Sequence, residues 1–127
     1  QMHRERGLWD AKLFDFAELY GTEFGMDKAN RLRYSQTMMT HAMLFTGVDV
    51  VDGAPRRWRV ENSWGAKKSG EEGFYTMNDS WYDEHMFEIA APTDYLTEKM
   101  KKGLSTIPVV LPAWDPMGSR AKDEAAL

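Results

Sequence analysis

The sequence predicts an α+β fold in three stretches: a helical or irregular arm over 1–38, an antiparallel β domain with a following helix over 39–107, and an extended C-terminal arm over 108–127. Three observations predict it. Apolar residues recur at helical spacing ahead of Gly21, two β-prone runs flank Asp52-Gly53, and prolines at 108, 112 and 116 punctuate the end of the chain.

In the arm, Trp9, Leu13, Phe16 and Tyr20 fall on one helical face, and Gly21 supplies a stop. A second short helix starts near Asp27 and carries Ala29 and Leu32. Gly7, Gly21 and Gly25 leave room for irregular backbone between these pieces.

From Met39 the periodicity changes to that of strands. Residues 41–51 and 57–63 read as two strands of a hairpin, because Asp52-Gly53 supplies the positive φ angles of a tight turn. Pro55 cannot donate to a ladder, so the loop holds either two residues or four. Both lengths are even and give the same facing: His41 shares a sheet face with Asn62 and Trp64. In the shorter register His41 lies opposite Trp64 and diagonal to Asn62, and a one-residue slip would separate them. Beyond Gly65 a Gly-rich charged loop, 66–73, leads to a strand at Phe74 to Met77, then an acidic, aromatic stretch, 79–85, and a further strand around Met86 to Ala90. Thr93 or Asp94 caps a short helix running through Leu96 and Met100. Lys101 and Lys102 suit its C-terminus, and Gly103 ends it. The prolines of the tail favour an extended arm.

With 127 residues, 43% of them apolar and 13% aromatic, the chain holds one globular domain's worth of core. A net charge of -4 argues against nucleic acid, and the basic cluster Arg56-Arg57-Trp58-Arg59 reads as a solvated hairpin edge. No apolar run approaches the roughly 18 residues that span a bilayer, so no membrane role is expected. The absence of cysteine removes any disulfide framework, and together with the lack of a signal-like segment it predicts an intracellular protein. The chain opens on Gln1, as a processed product or a piece cut from a longer chain would. His85 with Asp83, Glu84 and Glu88 has the composition of a metal site but not its facing, and the expected metals and cofactors are none. The Glu71-Glu72 pair beside Lys67-Lys68 is a solvated surface.

The chemistry lies in His41 and Asn62. An imidazole can move a proton from a nucleophile to a leaving group if it is held in one tautomer and one orientation. An asparagine oxygen does the holding by accepting from the second ring nitrogen, and Trp64 on the same face shields that hydrogen bond from water, which strengthens it. Such a pair serves a nucleophile, and this chain has no cysteine to supply a thiolate.

Met39-Thr40-His41-Ala42-Met43, Thr46-Gly47-Val48-Asp49 and Trp58-Arg59-Val60-Glu61-Asn62-Ser63-Trp64-Gly65 resemble the histidine and asparagine strands of papain-like cysteine peptidases. The resemblance continues through Gly73-Phe74-Tyr75 and Asp79-Ser80-Trp81 to Trp114-Asp115-Pro116-Met117-Gly118, and that last motif narrows it to the bleomycin hydrolase and aminopeptidase C group, C-terminal portion only. The resemblance implies the antiparallel β-barrel-like half of a cytosolic cysteine aminopeptidase acting on peptide substrates. It also implies a homo-hexamer whose active sites face a central channel, and an N-terminal half as the partner bearing the cysteine. His41 would be general base and acid, Asn62 its orienter and Trp64 their support. In that family the C-terminal arm enters the cleft and its carboxylate helps hold the substrate's amine, whereas residues 119–127 extend this chain past the usual end. The rival expectation is a non-catalytic assembly or binding module that kept the papain-like fold.

Overall fold

A computed structural model describes residues 1–67 and 70–116. They fall into two compact units, one formed by Gln1–Lys28 with Thr40–Met86, the other by Ala29–Met39 with the residues from Phe87 on.

The first unit is built on a hairpin of β3 (Leu44–Val51) and β4 (Ala54–Glu61). Asp52 and Gly53 sit at φ 51° and 79°, so both central residues of the two-residue turn are left-handed, the hand that matches strand twist. Val51 pairs with Ala54, which settles the shorter of the two loop lengths. The hairpin is not regular. Between Asp49 and Val50 the register shifts and leaves Arg56 extra on β4. Between Phe45 and Gly47 it shifts back and leaves Thr46 extra on β3. The first irregularity adjoins Pro55, which has no N–H for the ladder. At the second, the Thr46 hydroxyl donates to the Arg59 carbonyl at 3.3 Å. Because the two bulges lie on opposite strands they cancel, and the open end of the hairpin has the facing of an unbroken one.

β5 (Phe74–Asn78) pairs antiparallel with β4, placing Tyr75 opposite Val60 and Met77 opposite Trp58. The N-terminal residues complete the sheet, where a helix through Trp9 was expected. β1 (Met2–His3) and β2 (Leu8–Trp9) form a short antiparallel pair, and β2 runs parallel to β5, giving a mixed, open sheet in the order β1-β2-β5-β4-β3. Burial decides the matter: Trp9 joins Val60, Tyr75 and Met77 as the buried core, and a strand beside β5 puts it there. Trp9 lies against Tyr75 and Trp81 with ring centroids 5.0 and 5.1 Å away. The expected helix survives only as α1 (Phe16–Tyr20), capped by the Asp15 carboxylate on the Glu18 amide at 2.9 Å and ended by left-handed Gly21. α2 (Lys28–Arg33) forms where Ala29 and Leu32 predicted it.

The acidic, aromatic stretch after β5 is a helix, α3 (Asp79–His85), and no strand follows at 86–90. Its i,i+4 pairs explain the helix: the Trp81 ring lies against that of His85 with centroids 4.7 Å apart, while Tyr82 and Met86 both pack on the core. Polar contacts tie it down. The Trp58 indole donates to Asp79 at 2.9 Å, and Asp10, just past β2, accepts from Asn78 Nδ2 at 2.6 Å and the Ser80 hydroxyl at 3.3 Å. The Lys12 amide, bound to the same carboxylate at 2.9 Å, and then the Asn78 and Ser80 contacts hold Asp10 below the usual carboxylate range, against the opposing pull of partial burial.

In the second unit a 3-10 turn at Thr93–Tyr95 precedes α4 (Glu98–Leu104). The cap is Thr97, whose hydroxyl accepts from the Met100 amide at 3.3 Å, rather than Thr93 or Asp94. Gly103 lies inside the helix, and Ser105 is the residue that closes it. Residues 107–112 form neither strand nor helix and expose Ile107, Val109 and Val110 almost fully. Lys68, Met117, Gly118 and the tail beyond lie outside the described residues.

Candidate active site

Both strands of the hairpin leave the ladder just where the candidate site begins: β3 starts only at Leu44 and β4 stops at Glu61, so the strands are shorter than 41–51 and 57–63 at this end. The Asn62 amide donates instead to the Gly73 carbonyl at 3.1 Å, on the β5 side, which fixes the asparagine backbone without a β3 partner. Two residues past Val60 on the core face, Asn62 is 6% exposed, while His41 on the facing segment is exposed.

The side chains meet as the facing argument requires. His41 Nε2 and Asn62 Oδ1 are 2.9 Å apart. With the asparagine oxygen accepting, Nε2 carries the proton and Nδ1, on the other edge of an accessible ring, is the basic nitrogen. Trp64 stacks on His41 with centroids 5.4 Å apart and planes 27° from parallel. A large apolar surface thus covers one side of the imidazole, and both sequence-predicted partners lie within reach of His41.

Two neighbours were not expected at the site. Tyr75 meets Trp64 edge-on at 6.2 Å, and the Arg4 guanidinium carbon lies 4.9 Å over the Trp64 ring. Alternation of Tyr75 with Met77 along β5 marks both as core-facing, so Tyr75 was within reach of period-two reasoning. Arg4 carries no local signal, since it comes to Trp64 across 60 residues of chain. Among the described residues, Asn62 Nδ2 and the Tyr75 hydroxyl are buried without hydrogen-bond partners.

An imidazole, an amide oxygen 2.9 Å from one of its nitrogens and an indole packed against its face form the arrangement expected of the histidine and asparagine strands of a papain-like peptidase. Comparison with known proteins agrees: residues 1–118 match the Peptidase C1-like family, and the chain belongs to it. It is 42% identical over 119 residues to aminopeptidase C of Streptococcus thermophilus, covering 93% of this chain and 26% of that protein. Human bleomycin hydrolase is 42% identical over 120 residues, with 91% of this chain and 26% of that one covered. The crystal structure of PepW from Lactobacillus rhamnosis HN001 superposes with a TM-score of 0.84 at 41% identity, covering 93% of this chain and 27% of that one. The chain spans about a quarter of the length of these relatives.

Proposed function

We propose that this chain carries the general base and its orienter for a cysteine aminopeptidase, with His41 and Asn62 in those roles and Trp64 shielding them. The observation that carries the reading is the 2.9 Å contact between His41 Nε2 and Asn62 Oδ1. It leaves Nδ1 to take the proton of a cysteine thiol, and that cysteine lies outside these 127 residues, which contain none. The thiolate attacks the peptide carbonyl, His41 returns the proton to the departing amine, and an acyl-enzyme remains. Water attacks the acyl group as His41 Nδ1 takes its proton, and that proton then restores the thiol.

In the complete enzyme the open sheet is part of the β-barrel-like half, and the tail from residue 108 reaches the cleft that receives the substrate's amino terminus. Relatives named aminopeptidase C and aminopeptidase E support an amino-terminal specificity on peptides. The reading extends to a cytosolic homo-hexamer with active sites on an inner channel. The test is the complete protein on an aminoacyl fluorogenic substrate: His41→Ala lowers kcat by about 10²–10⁴, the range of general acid-base catalysis. A variant with near-wild-type rate would leave a non-catalytic assembly module as the surviving interpretation.

A further inference from the structure

Trp64 has little backbone support of its own. It lies two residues past Asn62 in a turn with no ladder hydrogen bonds, so its orientation depends on what packs against its ring. Among the described residues, His41 stacks on it at 5.4 Å, Tyr75 meets it edge-on at 6.2 Å, and the Arg4 guanidinium lies 4.9 Å from its centroid. A guanidinium over an indole face is attracted by the ring's electron density, and its planarity lets it stack as an ammonium cannot.

Arg4 is itself held in place by the loop that carries Trp64. Its carbonyl accepts from the Gly7 amide at 3.3 Å and the Gly70 amide at 3.1 Å, and Gly70 lies in the segment running on from Trp64. The approach is possible only with glycine there. Gly70 has φ +68°, and a Cβ on it would stand 2.3 Å from the Phe74 carbonyl oxygen. A Cβ on Gly7 would stand 2.7 Å from Gly70 Cα. The turn between β1 and β2 and the loop after Trp64 are therefore pressed together at their backbones, and Arg4 reaches from one to the ring of the other.

We propose that Arg4 is a positioning residue for His41, acting through Trp64: the guanidinium clamps the indole on which the imidazole stacks. This rests on the catalytic reading of His41 given above. A clamp of this kind leaves substrate contacts untouched and changes the fraction of time the imidazole is aligned, so its loss falls on kcat and not on KM.

The experiment uses the complete protein and an aminoacyl fluorogenic substrate, with His41→Ala as reference. Arg4→Met keeps the apolar stem and removes the cation. It lowers kcat about two- to fivefold, the range that an exposed cation–π contact supports, with KM unchanged. Arg4→Lys recovers part of the loss, and in a Trp64→Ala background Arg4→Met costs nothing further. Arg4→Gln serves as the second uncharged variant should Arg4→Met not fold. In either uncharged variant the His41 ring-proton NMR resonances move away from their Trp64-stacked positions. Unchanged kcat in a folded uncharged variant, a loss carried by KM, or a loss that persists without Trp64 would overturn the role while His41→Ala remained inactive. A His41→Ala protein that kept its rate would overturn the catalytic reading, and the clamp with it.

Discussion

At the scale of single residues, His41 and Asn62 differ in what their loss removes. On the proposed roles, loss of His41 removes the proton carrier, whereas loss of Asn62 leaves the carrier in place with its tautomer and direction loosened. In the complete protein Asn62→Ala is therefore expected to lower kcat by clearly less than His41→Ala, and Trp64→Ala by less again, as measured at saturating concentration of one free-amine substrate. Asp10 supports a different prediction. Its carboxyl is held below its ordinary value by the Lys12 amide first and by Asn78 and Ser80 after it, so the folded chain favours the ionised form. A depressed carboxylate contributes stability that is fully present above the unfolded value, near 4, and is lost as pH falls through the folded one. Urea midpoints followed from pH 6 downward should fall across that window in the natural chain. In Asp10→Asn this part of the fall should be absent.

At the scale of elements, the hairpin places the site through two irregularities that compensate. Thr46 is the extra residue on β3 and Arg56 the extra residue on β4. Deleting Thr46 alone shifts the facing of everything before it by one residue, which turns His41 from Asn62 and turns Met43 and Phe45 from the core they pack on. Activity of the complete protein should fall to the His41→Ala level. Deleting Arg56 as well restores the parity and should recover part of the rate; a double deletion no better than the single one would count against the bulges as the device that sets the facing. The glycines of the N-terminal contact give a stability test. Gly70→Ala meets the Phe74 carbonyl at 2.3 Å, whereas Gly21→Ala, at a similar φ of +63°, meets nothing within 4 Å. Left-handed strain of roughly 1–2 kcal/mol is common to both, so urea denaturation should show Gly70→Ala as the more destabilised.

At the scale of the whole molecule, the proposed roles of His41 and Asn62 need a thiol that these 127 residues do not contain. The purified 127-residue chain is expected to show no turnover of an aminoacyl fluorogenic substrate above a His41→Ala control in the presence of a chelator. Large apolar side chains stand in solvent in each unit: Leu19, Tyr20 and Phe24 in the first, Ile107, Val110 and Trp114 in the second. Exposed apolar surface on this scale drives association, so the isolated chain should self-associate and bind a hydrophobic dye. A monodisperse monomer that binds none would show these surfaces to be tolerated in water. Among the described residues no helix is long and apolar enough to cross a membrane.

The strand pair, its turn and the meeting of His41 with Asn62 and Trp64 were legible in the sequence, because period-two facing and the chemistry of Asp52-Gly53 are local rules. The facing argument assumed an unbroken hairpin and held because two bulges cancel, something no local pattern announces. α1 was legible at its Gly21 end, but Trp9 and Leu13 were drawn into the same helix since their spacing fits one. Burial against Tyr75 and Met77, a contact some 66 residues away along the chain, made Trp9 part of a strand instead. α3 had its signal in the i,i+4 pairs Trp81/His85 and Tyr82/Met86, hidden by a high density of acidic residues. The sequence alone determined which residues meet in the candidate site, because that depends on side-chain type and short-range facing. Only the tertiary structure decided that the N-terminal arm completes the sheet and brings Arg4 to Trp64, because those placements follow from burial and packing between segments that share no local pattern.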